Sequence, residues 1–186
     1  DLKKEIDAVV LRAMKKAPEQ RYPSWSEFAL EISQAGQLVL PPGTIPDSEK
    51  YVALKKVPIL STLADSELWE LARAGKWSRV PKGKTIVRES EKGTSFFFLA
   101  QGEAKVTKQK RLLNMVNGGE CFGEMAYIAG GEKRHATVES STEVLLAEFE
   151  PAKLDQMSLG AQLQLTRALV RNVSDRLALA NTRLAR

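Results

Sequence analysis

The sequence predicts an α+β protein, an antiparallel β-roll or jelly roll flanked by N-terminal helices and a long C-terminal helix. Three observations carry this. Over residues 1–38 and 48–75, apolar residues recur every three or four positions, the period of helices with one buried face. Over residues 77–149 the period falls to two, in short runs of β-branched and aromatic residues broken by glycines, as in a closed antiparallel sheet. After Pro151 the helical period returns and runs on to the end of the chain.

Each element has a local reason. Ile6, Val9, Val10, Ala13 and Met14 make one apolar face of a first helix. Pro18 and Pro23 bracket a turn, and Ser24-Trp25-Ser26-Glu27 reads as a capping box that starts a second helix with Phe28, Ile32 and Leu38 facing inward. Leu40-Pro41-Pro42-Gly43-Thr44-Ile45-Pro46 cannot continue a helix, so residues 39–49 are expected to be a linker between a unit at 1–38 and a domain at 50–186. Pro58 splits the next helical stretch. Asp65 is expected to cap its second part, which carries Leu68, Leu71 and Ala72, and Gly75 to end it in a left-handed conformation. Strands are expected at residues 85–87, 95–100, 104–107, 112–116, 136–139 and 144–149. In the last helix, Leu159, Leu163, Thr166, Val170, Val173, Leu177, Ala180 and Leu184 alternate spacings of four and three. That seam suits either packing on its own domain or pairing with a second copy.

Composition narrows the function. The chain has 186 residues, 43% hydrophobic and 27% charged, enough for a core without disulfides or a structural metal. The single cysteine, Cys121, forms no internal disulfide and fits a reducing cytoplasm. The single histidine, His135, rules out most His-based metal sites and weakens any nucleophile–His–acid scheme. No apolar run reaches the roughly 20 residues that span a bilayer, so no membrane segment is expected. Net charge is +5, with Arg167, Arg171, Arg176, Arg183 and Arg186 against one acid, Asp175, at the C-terminal end. That reads as a solvated helix face and not as a nucleic-acid site. The chain begins at Asp1 without Met and is expected to be a piece of a longer protein.

One segment concentrates chemistry. Gly118-Gly119 make a turn after a strand, Gly123 allows close approach to the backbone, and residues 124–128 suit one or two helical turns whose first amides have no helical partner. Arg134 follows a glycine-containing loop and offers a planar fork for a phosphate. A ligand with an anionic phosphate and a hydroxyl to donate to Glu124 would satisfy these groups. A plain Glu124–Arg134 salt bridge would satisfy the two side chains equally well.

Phe122-Gly123-Glu124-Met125-Ala126, followed by Arg134-His135-Ala136-Thr137-Val138, resembles the phosphate-binding cassette of cyclic nucleotide-binding domains. The resemblance takes in Pro81-Lys82-Gly83-Lys84-Thr85-Ile86, residues 95–103, and Arg176-Leu177 with Asn181 and Leu184. It implies that Glu124 accepts from a ribose 2′-hydroxyl and Arg134 pairs with a cyclic phosphate. Gly123, Met125, Ala126 and His135 would complete the phosphate cradle with Ala136 and Thr137 beside it. Val106 and Met125 would meet the base, and an unassigned residue of the C-terminal helix would cap it. The family's glycine-rich turn is altered here to Glu89-Ser90-Glu91-Lys92-Gly93-Thr94, so Ser90 must adopt the backbone of a missing glycine. Lys133 replaces a common proline and His135 a small residue. Without the threonine or serine that some cGMP-selective members carry after the arginine, the resemblance implies cAMP.

Residues 5–25, with Lys16-Ala17-Pro18-Glu19-Gln20-Arg21-Tyr22 at their centre, resemble the last helices of bacterial Ser/Thr protein kinases. This implies a phosphotransferase domain in cis, upstream of a regulatory module. No phosphate loop, catalytic aspartate or magnesium-binding aspartate of a kinase is present in these residues, so no catalytic residue, metal or cofactor is expected here. The other readings are the sensor domain of a transcription regulator without its DNA reader, and a degenerate domain used only for protein interaction.

Overall fold

The computed structural model describes residues 2–36, 44–131 and 133–184. The chain divides into two compact units, residues 1–52 and 53–186. In the first, α1 (Leu2–Ala13) packs on α2 (Trp25–Ala35). Ser24 accepts the Glu27 amide at 3.3 Å, the cap that its sequence predicts. Val9 is buried, while Met14 lies beyond α1 and is 73% exposed, so it does not belong to the inward face. Leu38 and residues 39–43 lie outside the described residues. The helix α3 (Asp47–Lys55) begins inside the segment expected as linker.

In the second unit, a 3-10 turn at Pro58–Leu60 leads to α4 (Asp65–Ala74). The cap is Ala64 and not Asp65. The Ala64 amide donates to the Glu67 carboxylate at 2.7 Å, and Asp65 is the first helical residue. Gly75 is extended (φ −76°, ψ 141°), not left-handed. Its glycine has a packing reason, since a Cβ there would lie 2.9 Å from the Phe149 ring.

Among the described residues eight strands follow: β1 (Lys76–Val80), β2 (Thr85–Val87), β3 (Phe96–Gln101), β4 (Glu103–Lys108), β5 (Arg111–Asn117), β6 (Glu120–Phe122), β7 (Thr137–Ser140) and β8 (Val144–Phe149). They form two antiparallel four-stranded sheets, ordered β1-β8-β3-β6 and β2-β7-β4-β5. The expected strands are all present, and β1 and β6 add to them. Between the sheets lies a core that includes Phe97, Leu99, Val116, Phe122, Val138 and Leu146. The run Phe96-Phe97-Phe98-Leu99 is apolar throughout because both faces of β3 are buried. Phe97 stacks on Phe122 with ring centroids 5.0 Å apart, while Phe96 and Phe98 pack on Phe149, and Phe96 also on Tyr127.

Between β6 and β7 sits α5 (Glu124–Ile128). The chain closes with α6 (Pro151–Leu154) and α7 (Leu159–Leu184). The face of α7 that packs on its own domain carries Ala161, Leu165, Ala168 and Leu169, all buried. Of the periodic seam, Leu159, Leu163, Val170 and Leu177 are between 50% and 83% exposed. Packing on its own domain therefore does not explain that seam.

Candidate functional site

Gly123 ends β6 with φ +79°, a conformation that favours glycine, and so turns the chain into α5. Its position is tight as well as left-handed. A Cβ there would lie 2.9 Å from Arg134 Nη1 and 3.4 Å from the Phe97 ring. The turn at residues 89–94 is laced to Arg134 by its backbone. The Ser90 amide donates to the Arg134 carbonyl at 2.8 Å, and the Arg134 amide donates to the Glu91 carbonyl at 2.8 Å. Ser90 has φ +67°, the glycine-like backbone its place in the turn requires.

These elements fix two buried, charged side chains. Arg134 is 7% exposed. Its Nη1 donates to the Gly123 carbonyl at 3.1 Å and its Nη2 to Ser95 Oγ at 3.1 Å. Burial pulls the guanidinium below the usual arginine value, and the charge of Glu148 pushes it back up. Glu124 is 3% exposed and its Oε1 accepts from Arg176 Nη1 of α7 at 3.0 Å. The Glu124–Arg134 salt bridge open to the sequence is therefore not formed, because each side chain has other partners. Arg176 also donates through Nη2 to the Cys121 carbonyl, and Asn172 Nδ2 donates to Cys121 Sγ at 3.2 Å. Burial is the main cause that pushes the Cys121 thiol far up, so it is no nucleophile.

Both charges line one cavity of about 360 Å³. Its apolar lining includes Val87, Val106, Val116, Phe122 and Val138, and its polar lining is Asn114, Glu124, Arg134, His135 and Arg176. An apolar pocket with a few convergent polar groups is the form of a small-molecule site. Of the residues expected from sequence, Gly123, Glu124, Met125, Ala126, Arg134, His135, Ala136 and Val106 all line it. Thr137 does not. Its Oγ1 accepts from the Glu89 amide at 3.0 Å and braces the turn instead. Met125 is half exposed at the cavity and His135 is exposed. Sequence reasoning assigned no role to Ser95, Arg176, Val87, Val116 or Val138. Arg176 belonged to the quoted helix pattern, but only its contact with Glu124 gives it a role. Among the described residues no cluster of three or more His, Cys, Asp or Glu could hold a metal ion.

Residues 77–159 match the cyclic nucleotide-binding domain. Over those residues the chain is similar to a binding domain of that kind. A cAMP-dependent protein kinase regulatory subunit of Debaryomyces hansenii is 38% identical over 95 residues, which cover 50% of this chain and 21% of that protein. A cyclic nucleotide-gated potassium channel of Rhizobium etli is 38% identical over 90 residues, 48% of this chain and 25% of the channel. The alignments thus span a quarter or less of those two proteins. In fold, the chain is similar to a cyclic nucleotide-binding domain of Methylobacillus flagellatus, with a TM-score of 0.65 at 18% identity over 73% of this chain and 84% of that one. The α+β β-roll with its long C-terminal helix is the architecture of the domain. Among the described residues no helix is long and apolar enough to cross a membrane.

Proposed function

We propose that residues 50–186 bind a cyclic nucleotide, cAMP in preference to cGMP, and regulate a Ser/Thr kinase domain in cis. The observation that carries this is the pair of buried charges, Glu124 and Arg134, lining one apolar cavity. A buried cation is costly unless it meets an anion, and the cyclic phosphate supplies one to Arg134. The ribose 2′-hydroxyl donates to Glu124. The base packs on Val106 and its apolar neighbours, with Met125 at the margin. His135 beside the phosphate offers no hydroxyl for a guanine, which supports cAMP.

The ribose acceptor and the fastener of α7 are the same carboxylate. A nucleotide on Glu124 therefore alters the hold of Arg176, and with it the position of the C-terminal helix. A two-state element of this kind transmits a signal only if the ligand binds its two states differently. The kinase-like helices at residues 1–38 support a kinase as the target. Arg21 there donates to the Lys15 and Lys16 carbonyls. The exposed seam of Leu159, Leu163, Val170 and Leu177 supports pairing of α7 with a second copy, and the cysteine usage supports the cytoplasm.

Isothermal titration with cAMP and cGMP tests the reading. Arg134→Ala weakens binding by about 2–5 kcal/mol, and Glu124→Ala by about 1–3 kcal/mol with a matching loss of preference over the 2′-deoxy ligand. No heat with either nucleotide up to millimolar concentration sinks the reading. Sedimentation that stays monomeric across a concentration series disposes of the second copy.

A further inference from the structure

The buried guanidinium of Arg134 has no direct carboxylate partner among the described residues. Its Nη2 instead donates to the Ser95 hydroxyl at 3.1 Å, and that hydroxyl donates to Glu148 Oε1 at 2.9 Å. A hydroxyl has one proton and two lone pairs. With the proton committed to the carboxylate, a lone pair faces the guanidinium, so the order of the chain is fixed as cation, hydroxyl, anion. Such a hydroxyl is polarised by the anion and accepts more strongly from the cation.

The surroundings hold Glu148 in place. It sits on β8, paired in register with Phe97 of β3, the strand that begins one residue after Ser95. Its other oxygen lies 3.9 Å from the exposed Lys76 ammonium. It also lines an open cleft of about 540 Å³ shared with Arg73, Lys76 and Lys153. One end of the chain thus reaches solvent and the other ends under the phosphate arginine.

We propose that Ser95 and Glu148 are positioning residues for ligand binding: Glu148 supplies the counter-charge for Arg134, and the Ser95 hydroxyl carries it while fixing the plane of the guanidinium. A carboxylate directly on Arg134 would take its donors and compete with an incoming phosphate. One intervening hydroxyl orients the fork and leaves the anion outside the cavity. This inference rests on the cyclic-nucleotide reading of the cavity.

A fixed fork distinguishes the two exocyclic oxygens of the phosphate, so the probes are cAMP and its two phosphorothioate diastereomers. In wild type, one diastereomer binds better than the other. Ser95→Ala and Glu148→Gln each lower cAMP affinity about tenfold and shrink the ratio between diastereomers. Ser95→Thr, which keeps the hydroxyl, restores both. A readout without ligand accompanies this: slow hydrogen exchange of the Arg134 side-chain protons by NMR, assigned with Arg134→Lys. That exchange accelerates in Ser95→Ala and Glu148→Gln and not in Ser95→Thr. Variants with wild-type affinity, diastereomer ratio and exchange overturn the positioning role and leave nucleotide binding standing. If wild type binds neither nucleotide, the functional reading fails and the exchange rates alone decide the Ser95–Glu148 inference.

Discussion

Replacing Gly93 with alanine puts a methyl group where the phosphate arginine now lies. The new Cβ would stand 2.7 Å from Arg134 Nε, 2.7 Å from Nη2 and 2.9 Å from Cζ. Unstrained contact needs about 3.5 Å, so one side must give by roughly 0.8 Å. The turn cannot easily give, because Ser90 and Glu91 are bonded to the Arg134 backbone at 2.8 Å. The flexible end of the arginine gives instead. A retreat of roughly 0.8 Å stretches its bonds to Gly123 and Ser95 beyond hydrogen-bond reach. Gly93 does not have positive φ, so alanine adds no backbone strain. Folding stability should fall by only about 1 kcal/mol, the low end for overpacking. Cyclic-nucleotide affinity should fall by about 2–5 kcal/mol, as for loss of a buried charge partner. Urea denaturation and isothermal titration on the same preparation separate the two effects. Gly123→Ala is the control in which both fall, since φ there is +79°. If Gly93→Ala binds like wild type, the glycine is not what makes room for the guanidinium, and the reasoning fails.

Two further outcomes follow from the same contacts. Arg176→Ala leaves a buried Glu124 without its cation. It should lower stability by about 1–3 kcal/mol, less than a fully buried pair because Arg176 is 42% exposed. Amide exchange should quicken in α7 beyond Asn172, and unchanged exchange there argues against Arg176 as the fastener. For Cys121 the folded thiol is pushed far above its unfolded value of about 8.5, so the folded state holds the proton that the unfolded state releases. The stability this gives is complete below about pH 8.5. It should decline by about 1.4 kcal/mol per unit above that, and the slope should vanish in Cys121→Ala. Denaturation curves between pH 8 and 10 test it.

The strands and the cassette were legible because their signals are contiguous. Alternation needs only neighbours, and residues 122–138 bring glycine, carboxylate and guanidinium together along one stretch of chain. Ser90 was legible in the same way, since the turn pattern demanded a glycine-like backbone and the residue has it. Contacts between distant segments were not legible. Arg176 meets Glu124 across 52 residues, Arg134 meets Ser95 across 39, and Ser95 meets Glu148 across 53. Nothing in the local pattern of a serine before an aromatic run, or of an arginine on a basic helix, specifies such partners. Gly75 misled for a related reason. A glycine after a helix suggests a left-handed cap, yet here its lack of a side chain makes space for Phe149, which is brought in by β8. The seam of α7 shows the limit of periodicity. A spacing of four and three marks an apolar stripe, but small residues on the adjoining face, Ala161 and Ala168, let the helix settle on its domain by a different side.

Cys121 gives the molecule a built-in clock. It is the single thiol of the chain, 1% exposed, and its sulfur takes a hydrogen bond from Asn172 of α7. A thiol reagent can reach it only when the packing around it opens. The labelling rate then counts those openings, at one site, without any introduced probe. Measured with and without a bound ligand, that rate would time the part of the helix that Arg176 fastens.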